Sequence, residues 1–510
     1  MKRRDFVKKT ALCGLTLSAG MPGFARNTRA FEPSTITIDP QPQFELSPWL
    51  YMQFMEPLGV TDSSVEAAWD HTKHCWKPEL VEVTRELAPG MMRWGGLLSA
   101  YYRWKEAVGP RNQRKPLYNI VWGGFETNQV GTAEFVDFCR LVGADPLMCV
   151  NFESEGNPRF LKTPMGDDRC GNAQEAAEWV DYCNNPDNAL RKAHGFKDPL
   201  RIDLWQIGNE TTYGKNQFDR DTAVRKTIEF ADAMRKADPS IKLIAWGEDD
   251  GDRTGWAKGM INNLGDKIDY IAFHDMFDPG PPIRDNDYRQ DPAMTWEVLM
   301  NAYKVHEQTI NRMREQVAPY YVPLAMTECH FAVSGRNRCE VLSSWAAGCC
   351  YARIANLHER NGDLLKIATM ADFCGTRWQV NAVMIPVPGG RPFLMPVAKV
   401  MALYRKYSGK EFLKTVSASK VLDVTGSRTG NTYYLHIVNT SRSQAVPVEF
   451  RIDGKVISSA KAFEIAEDPT YEILKDENDR MQTKTKEVTI GKSYTVPPAS
   501  VTAVQLTINN

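Results

Sequence analysis

Leu204-Trp205-Gln206-Ile207-Gly208-Asn209-Glu210 is a short, mostly apolar run that stops at a glycine and ends in an Asn-Glu pair. Pro323-Leu324-Ala325-Met326-Thr327-Glu328 is a second apolar run that ends in a carboxylate further along. Runs without polar alternation are what strands buried on both faces show, and such strands belong to parallel sheets covered by helices. Working outward, similar runs at 49–56, 91–95, 146–152, 202–209, 241–247, 270–274, 322–327 and 365–372 make eight candidate strands. Helical apolar spacing fills the gaps at 78–87, 132–142, 173–183, 222–236, 295–316 and 340–360, with a weaker helix at 253–264. Eight alternating βα units predict the α/β class and a (β/α)8 TIM barrel spanning 46–395.

Beyond a last helix at 397–407 the texture changes. From Phe412 the chain alternates apolar and polar residues and carries turn signals at Thr429-Gly430-Asn431 and Asp453-Gly454. This predicts an all-β sandwich. Ser34-Thr35-Ile36-Thr37-Ile38-Asp39 reads as a strand with no place in the barrel. It is expected to cross over, so that 34–45 joins 396–510 in the second domain.

The chain has 510 residues, 43% apolar and 25% charged, which is ordinary for a soluble globular protein. A net charge of −1 without any basic stripe speaks against nucleic acid as a partner. Residues 1–25 read as an export signal. Arg3-Arg4-Asp5-Phe6-Val7-Lys8 resembles a twin-arginine motif, and the apolar run at 10–24 is too short for a membrane span. An exported product, periplasmic or extracellular, with no span in the mature chain is the expectation. Several of the 11 cysteines, such as Cys139 and Cys149, lie in apolar runs, where thiols act as small hydrophobes. The acidic loop Glu248-Asp249-Asp250-Gly251-Asp252 lacks calcium-loop spacing and reads as solvated.

In the counted barrel, Glu210 follows strand four and Glu328 follows strand seven. Carboxylates at the C-terminal ends of barrel strands stand at the substrate face. A protonated and an ionised carboxyl about 5–5.5 Å apart are the acid/base and the nucleophile of retaining glycoside hydrolysis. Asn209 is placed to hold a sugar hydroxyl beside the reacting carbon. Glu56 at the end of strand one and His274 at the end of strand six are further candidates, and Trp94 and Trp246 are candidate sugar platforms. The chemistry requires neither metal nor organic cofactor, and a carbohydrate is the expected partner.

With these residues in place, the chain resembles glycoside hydrolase family 51, the retaining α-L-arabinofuranosidases. The likeness rests on Leu50 to Gly59, on Gly109-Pro110-Arg111, on Glu126-Thr127-Asn128 through Cys139, and on Trp205 to Glu210. It implies Glu210 as acid/base, Glu328 as nucleophile, and Glu56 and Asn209 as sugar contacts. It also implies a barrel with a sandwich that borrows an N-terminal strand, and it is compatible with a homo-oligomer. Leu97 stands where the family has a sugar-binding Asn, and Asp275-Met276-Phe277 lacks the family's tyrosine. Three readings therefore stay open: an α-L-arabinofuranosidase acting on plant-type glycans; the same mechanism on another glycone, such as a β-xyloside or β-glucoside; and a carbohydrate-binding protein with weakened catalysis.

Overall fold

The computed structural model describes residues 33–509, except 214–216, 249–254, 281–282, 284–286, 333–338 and 478–479. The expected export signal at 1–25 and most of the acidic loop at 248–252 lie outside the described residues.

Eight parallel strands form the barrel: β1 Gln53–Met55, β2 Met91–Trp94, β3 Asp145–Val150, β4 Leu204–Ile207, β5 Lys242–Trp246, β6 Tyr270–Phe277, β7 Leu324–Phe331 and β8 Leu365–Ile367. They pair in sequence order. The ring closes where Ala368 N–H donates to Trp49 O at 3.0 Å and Met52 N–H donates to Ala368 O at 2.9 Å. Met52, Met91, Leu147, Leu204, Ile244, Tyr270, Ala325 and Ile367 fill the interior as one buried cluster. The barrel is thus a packed core below its functional face.

The helices between the strands begin at side chains suited to the task. Asp219 accepts from Thr222 N at 2.9 Å to start Arg220–Ala237. Asp291 accepts from Met294 N at 2.9 Å to start Pro292–Val317, with Pro292 in the first turn. Each satisfies backbone N–H groups that a helix start otherwise leaves bare. The run read as one helix at 340–360 divides into a short turn, Glu340–Ser343, and a helix, Trp345–Arg360, capped by Ser344.

The second module is a nine-stranded sheet whose strands share one core, including Ile36, Leu413, Leu435, Val448 and Leu506. Ser34–Glu45 lies inside it, antiparallel to Glu411–Ser417 and parallel to Val446–Ile452. A buried hub ties the modules together. Glu359 on Trp345–Arg360 accepts from Tyr51 OH at 2.5 Å and Thr425 Oγ1 at 2.6 Å, and its carboxylate meets His436 Nδ1 at 3.0 Å. Those bonds outweigh burial and hold the Glu359 pKa below the ordinary value. All ten described cysteines are free thiols.

The first and last barrel strands are shorter than the sequence reading, Gln53–Met55 after a turn at Pro48–Tyr51 and Leu365–Ile367, and two other strands run longer in a way that matters for the site. β6 and β7 run on to Phe277 and Phe331, so His274 lies inside its strand rather than at its end, and Glu328 inside its strand rather than after it. The register between β6 and β7 shifts where Phe273 faces Met326 but His274 faces Glu328. A bulge of this kind puts two consecutive residues on one face. It lets Thr327 and Glu328 both serve the barrel mouth.

Candidate active site

The site is built on strand alternation. In β2, Met91 and Arg93 point inward while Met92 and Trp94 point outward; in β4, Leu204 and Gln206 point inward and Trp205 outward. Arg93 is fully buried and spreads its guanidinium over three elements. Nε donates to Gln206 Oε1 at 3.0 Å, Nη1 to Glu328 Oε1 at 2.7 Å, and Nη2 to Asn209 Oδ1 at 2.5 Å. One cation therefore positions both the Glu328 carboxylate and the Asn209 amide. Asn209 Nδ2 is buried and has no protein partner among the described residues.

Glu210 sits in the left-handed region at φ +50°, three residues beyond β4. Its Oε1 lies 2.9 Å from His274 Nδ1, and His274 Nε2 lies 3.0 Å from Thr327 Oγ1. Nδ1 is also 3.8 Å from Glu328 Oε2. The carboxylate oxygens of Glu210 and Glu328 and the His274 nitrogen lie within 4.8 Å of one another. Burial lowers the His274 pKa to about 3, so this bridge is a neutral imidazole. Burial also raises the Glu210 pKa to about 7, against the opposing pull of Arg93 and His330. With Glu210 protonated, its O–H donates to Nδ1 and Nε2–H donates to Thr327 Oγ1.

Three such donors also outline a cation cluster. Arg93 already offsets the Glu328 charge through Oε1, and its guanidinium repels a further cation. The geometry suits proton transfer.

Glu56 lies beyond β1, buried, and accepts from Trp122 Nε1 at 3.3 Å. Burial and the nearby Glu328 push its pKa well up. Gly96 makes room for it: a Cβ there would stand 2.4 Å from Glu56 Cδ, at φ +116°. Asp372, past β8, is likewise raised to about 7 by burial, and its Oδ1 lies 3.8 Å from His330 Nε2. Leu97 and Met276 are both half-buried, at the start of the turn after Gly96 and two residues past His274.

Trp246 reaches the site: its ring meets His274 edge-on at 4.6 Å, and Nε1 donates to Thr212 Oγ1 at 2.9 Å. Trp94 does not, which corrects the expectation of a sugar platform. Arg93 points into the barrel, so its neighbour faces the helix layer, against Phe135 at 5.4 Å and Tyr102 at 5.9 Å. Trp94→Ala is expected to remove about 3–5 kcal/mol of stability while leaving KM unchanged, checked by denaturant melts beside steady-state kinetics. The aromatic groups that do flank the site are Trp122, set edge-on to Trp378 at 5.4 Å, and Tyr213, whose OH donates to Glu248 Oε2 at 2.9 Å.

Residues 83–291 match the model of the alpha-L-arabinofuranosidase 1 domain, and residues 331–500 that of the alpha-L-arabinofuranosidase C-terminal domain. The chain belongs to the glycoside hydrolase family 51-like proteins. It is 31% identical over 244 residues to an intracellular exo-α-(1→5)-L-arabinofuranosidase of Halalkalibacterium halodurans, covering 45% of each chain. It is 34% identical over 182 residues to α-L-arabinofuranosidase C of Emericella nidulans, covering 34% of this chain and 33% of that one. The chain thus spans less than half the length of these curated relatives. An α-L-arabinofuranosidase of Thermotoga maritima, solved with arabinose, superposes with a TM-score of 0.74 at 22% identity, over 93% of this chain and 100% of that one. The enzyme of Thermotoga petrophila gives 0.73 at 23%, over 92% and 99%. Identities at that level carry the fold.

Arg93 is the central residue of this site that the strand-end reading passes over. Its signal was present: a charge inside Met91-Met92-Arg93-Trp94 is out of place in a buried strand unless it is paired.

Proposed function

We propose that this protein is a retaining glycoside hydrolase that releases terminal α-L-arabinofuranosyl residues from plant-type glycans. The observation that carries the reading is the Glu210–Glu328 pair, whose carboxylate oxygens lie within 4.8 Å of each other and are bridged by a neutral histidine. Carboxylates with oxygens this close favour direct attack by one of them, whereas an inverting pair needs room for a water between its acids.

In the first step Glu210 gives its proton to the glycosidic oxygen. Oε2 of Glu328, the oxygen not held by Arg93, attacks the anomeric carbon; the C–O bond to the aglycone breaks and a glycosyl ester forms. In the second step Glu210, now ionised, takes a proton from water, which attacks the same carbon and releases the Glu328 carboxylate. Asn209 Nδ2, a buried donor with no other described partner, is placed to hold the neighbouring sugar hydroxyl.

A panel of aryl glycosides tests the reading. Cleavage of an α-L-arabinofuranoside with retained anomeric configuration, lost in Glu210→Gln and Glu328→Gln, supports it. Cleavage of a xyloside or glucoside alone moves it to another glycone, an alternative that Leu97 and Met276 permit but that the arabinofuranosidase relatives do not favour. Binding of oligosaccharides without turnover of any glycoside overturns it.

The pH response follows from the raised carboxyls. Glu210 must be protonated in the first step, so kcat/KM is expected to fall as pH rises through about 7. Stability has the same sign. Glu210 and Asp372 hold their protons more tightly folded than unfolded, so their contribution is full below the ordinary carboxyl range and lost as pH rises through about 7. Melting temperatures should decline from pH 5 to pH 8, and Asp372→Asn should flatten that slope.

The export reading rests on Arg3-Arg4 and the apolar run that follows. It contrasts with the relative named as intracellular. Cell fractionation of the full chain beside an Arg3→Lys, Arg4→Lys variant tests it.

A further inference from the structure

From the strained loop after β3 we infer that Glu155 is a positioning residue for the acid/base. The inference rests on the proposed role of Glu210. Glu155 is buried, 1% exposed, and its Oε1 accepts from Asn209 N–H at 3.0 Å. Its Oε2 has no hydrogen-bond partner among the described residues and lies against Gly208, where a Cβ would stand 2.8 Å away. The carboxyl therefore fills the space beneath the turn that carries Asn209 and Glu210.

The loop adopts an unfavourable shape to put it there. Glu153, Ser154 and Glu155 have φ of +48°, +55° and +57°, three successive non-glycine residues in the left-handed region. Each such residue costs on the order of 1 kcal/mol, a strain that persists only where surrounding contacts enforce it. Here Asn151 Oδ1 accepts from Ser154 N at 2.9 Å, and Lys226 pairs with Glu153 at 2.6 Å. The turn above is itself left-handed at Gly208, φ +75°, and at Glu210, φ +50°. No regular strand or helix bond holds the Asn209 N–H there; Glu155 holds it. A carboxyl placed beneath a two-residue catalytic turn sets the height and tilt of both side chains. Arg93 steers the Asn209 amide from one side, and Glu155 fixes its backbone from the other.

The reach of the acceptor, rather than its charge, is what the turn needs. Burial pushes the Glu155 pKa well up. Three variants separate reach from carboxyl chemistry: Glu155→Gln keeps an acceptor oxygen at the same reach without a titrating proton, Glu155→Asp keeps the carboxyl but is one methylene short, and Glu155→Leu has neither. The measurement is kcat/KM on an activated 4-nitrophenyl and an unactivated methyl α-L-arabinofuranoside, because a misplaced acid matters only when the leaving group needs the proton. Melting temperatures are recorded alongside.

Glu155→Asp and Glu155→Leu are expected to lose about tenfold more on the methyl glycoside than on the 4-nitrophenyl one, while Glu155→Gln stays close to the parent on both. Equal losses on the two substrates in Glu155→Asp, or parental behaviour of that variant, would overturn the inference. So would Glu155→Gln behaving like Glu155→Asp. If Glu155→Leu fails to fold, the Asp and Gln variants decide alone. Glu210→Gln is the control: if it shows no leaving-group dependence, the assignment of Glu210 fails first, independently of Glu155.

Discussion

Glu328→Gln should reduce kcat on an arabinofuranoside by at least about 10⁴-fold, because no covalent ester can form without the nucleophile. Glu210→Gln should behave differently. Its loss on substrates with poor leaving groups should reach about 10²–10⁴-fold, and far less where the aglycone departs unprotonated. The second step then becomes slow, since no base activates the water, and a burst of aglycone followed by a slow steady state is expected in stopped-flow traces. Identical losses in both variants on every aglycone would sink the division of roles. The amide at 328 still accepts from Arg93 but removes its buried counter-charge. A lowered melting temperature is therefore expected in Glu328→Gln, and activity must be compared where both proteins are folded.

Arg93→Met should produce the second large effect, this time on the fold as much as on the reaction. The guanidinium is fully buried and bonded to Glu328, Asn209 and Gln206 at once. Its loss leaves the Glu328 carboxylate without a partner in a site that also contains Glu56, Glu210 and Asp372. Breaking one side of a buried ion pair costs about 3–5 kcal/mol. Urea melts should show that loss, growing as pH rises and more of the remaining acids ionise. Arg93→Lys should recover part of the stability but not the activity, because an ammonium cannot form three bonds in the fixed planar geometry of the fork. A variant as stable and as active as the parent would show that Glu328 is positioned without Arg93.

The parts of this molecule that sequence made legible are those governed by burial and periodicity. Strands such as Leu147-Met148-Cys149-Val150 declare themselves because both faces are covered, and the helices declare themselves by their spacing. Glu210 was legible because a glycine and a carboxylate after an apolar run mark a strand end. Glu328 was found for a partly mistaken reason: its strand continues to Phe331, and a bulge, which leaves no sequence signal, aims it inward. Trp94 was misplaced because a four-residue strand with apolar side chains on both faces does not show which phase points in; only the partners of Arg93 decide that. Glu155 was invisible for another reason. Its importance comes from a left-handed backbone, which non-glycine residues do not announce.

The strand Ser34–Glu45 has a consequence in time. It is synthesised before the barrel, yet its hydrogen-bonding neighbours, Glu411–Ser417 and Val446–Ile452, come after it. At ordinary translation rates it waits on the order of tens of seconds for them. During that interval an extended segment with Ile36 and Ile38 on one face is open to any passing strand edge. Pro40 and Pro42 lack the N–H that such an edge would recruit. Prolines at that irregular end of the strand reduce its capacity for mispairing before the last fifth of the chain emerges.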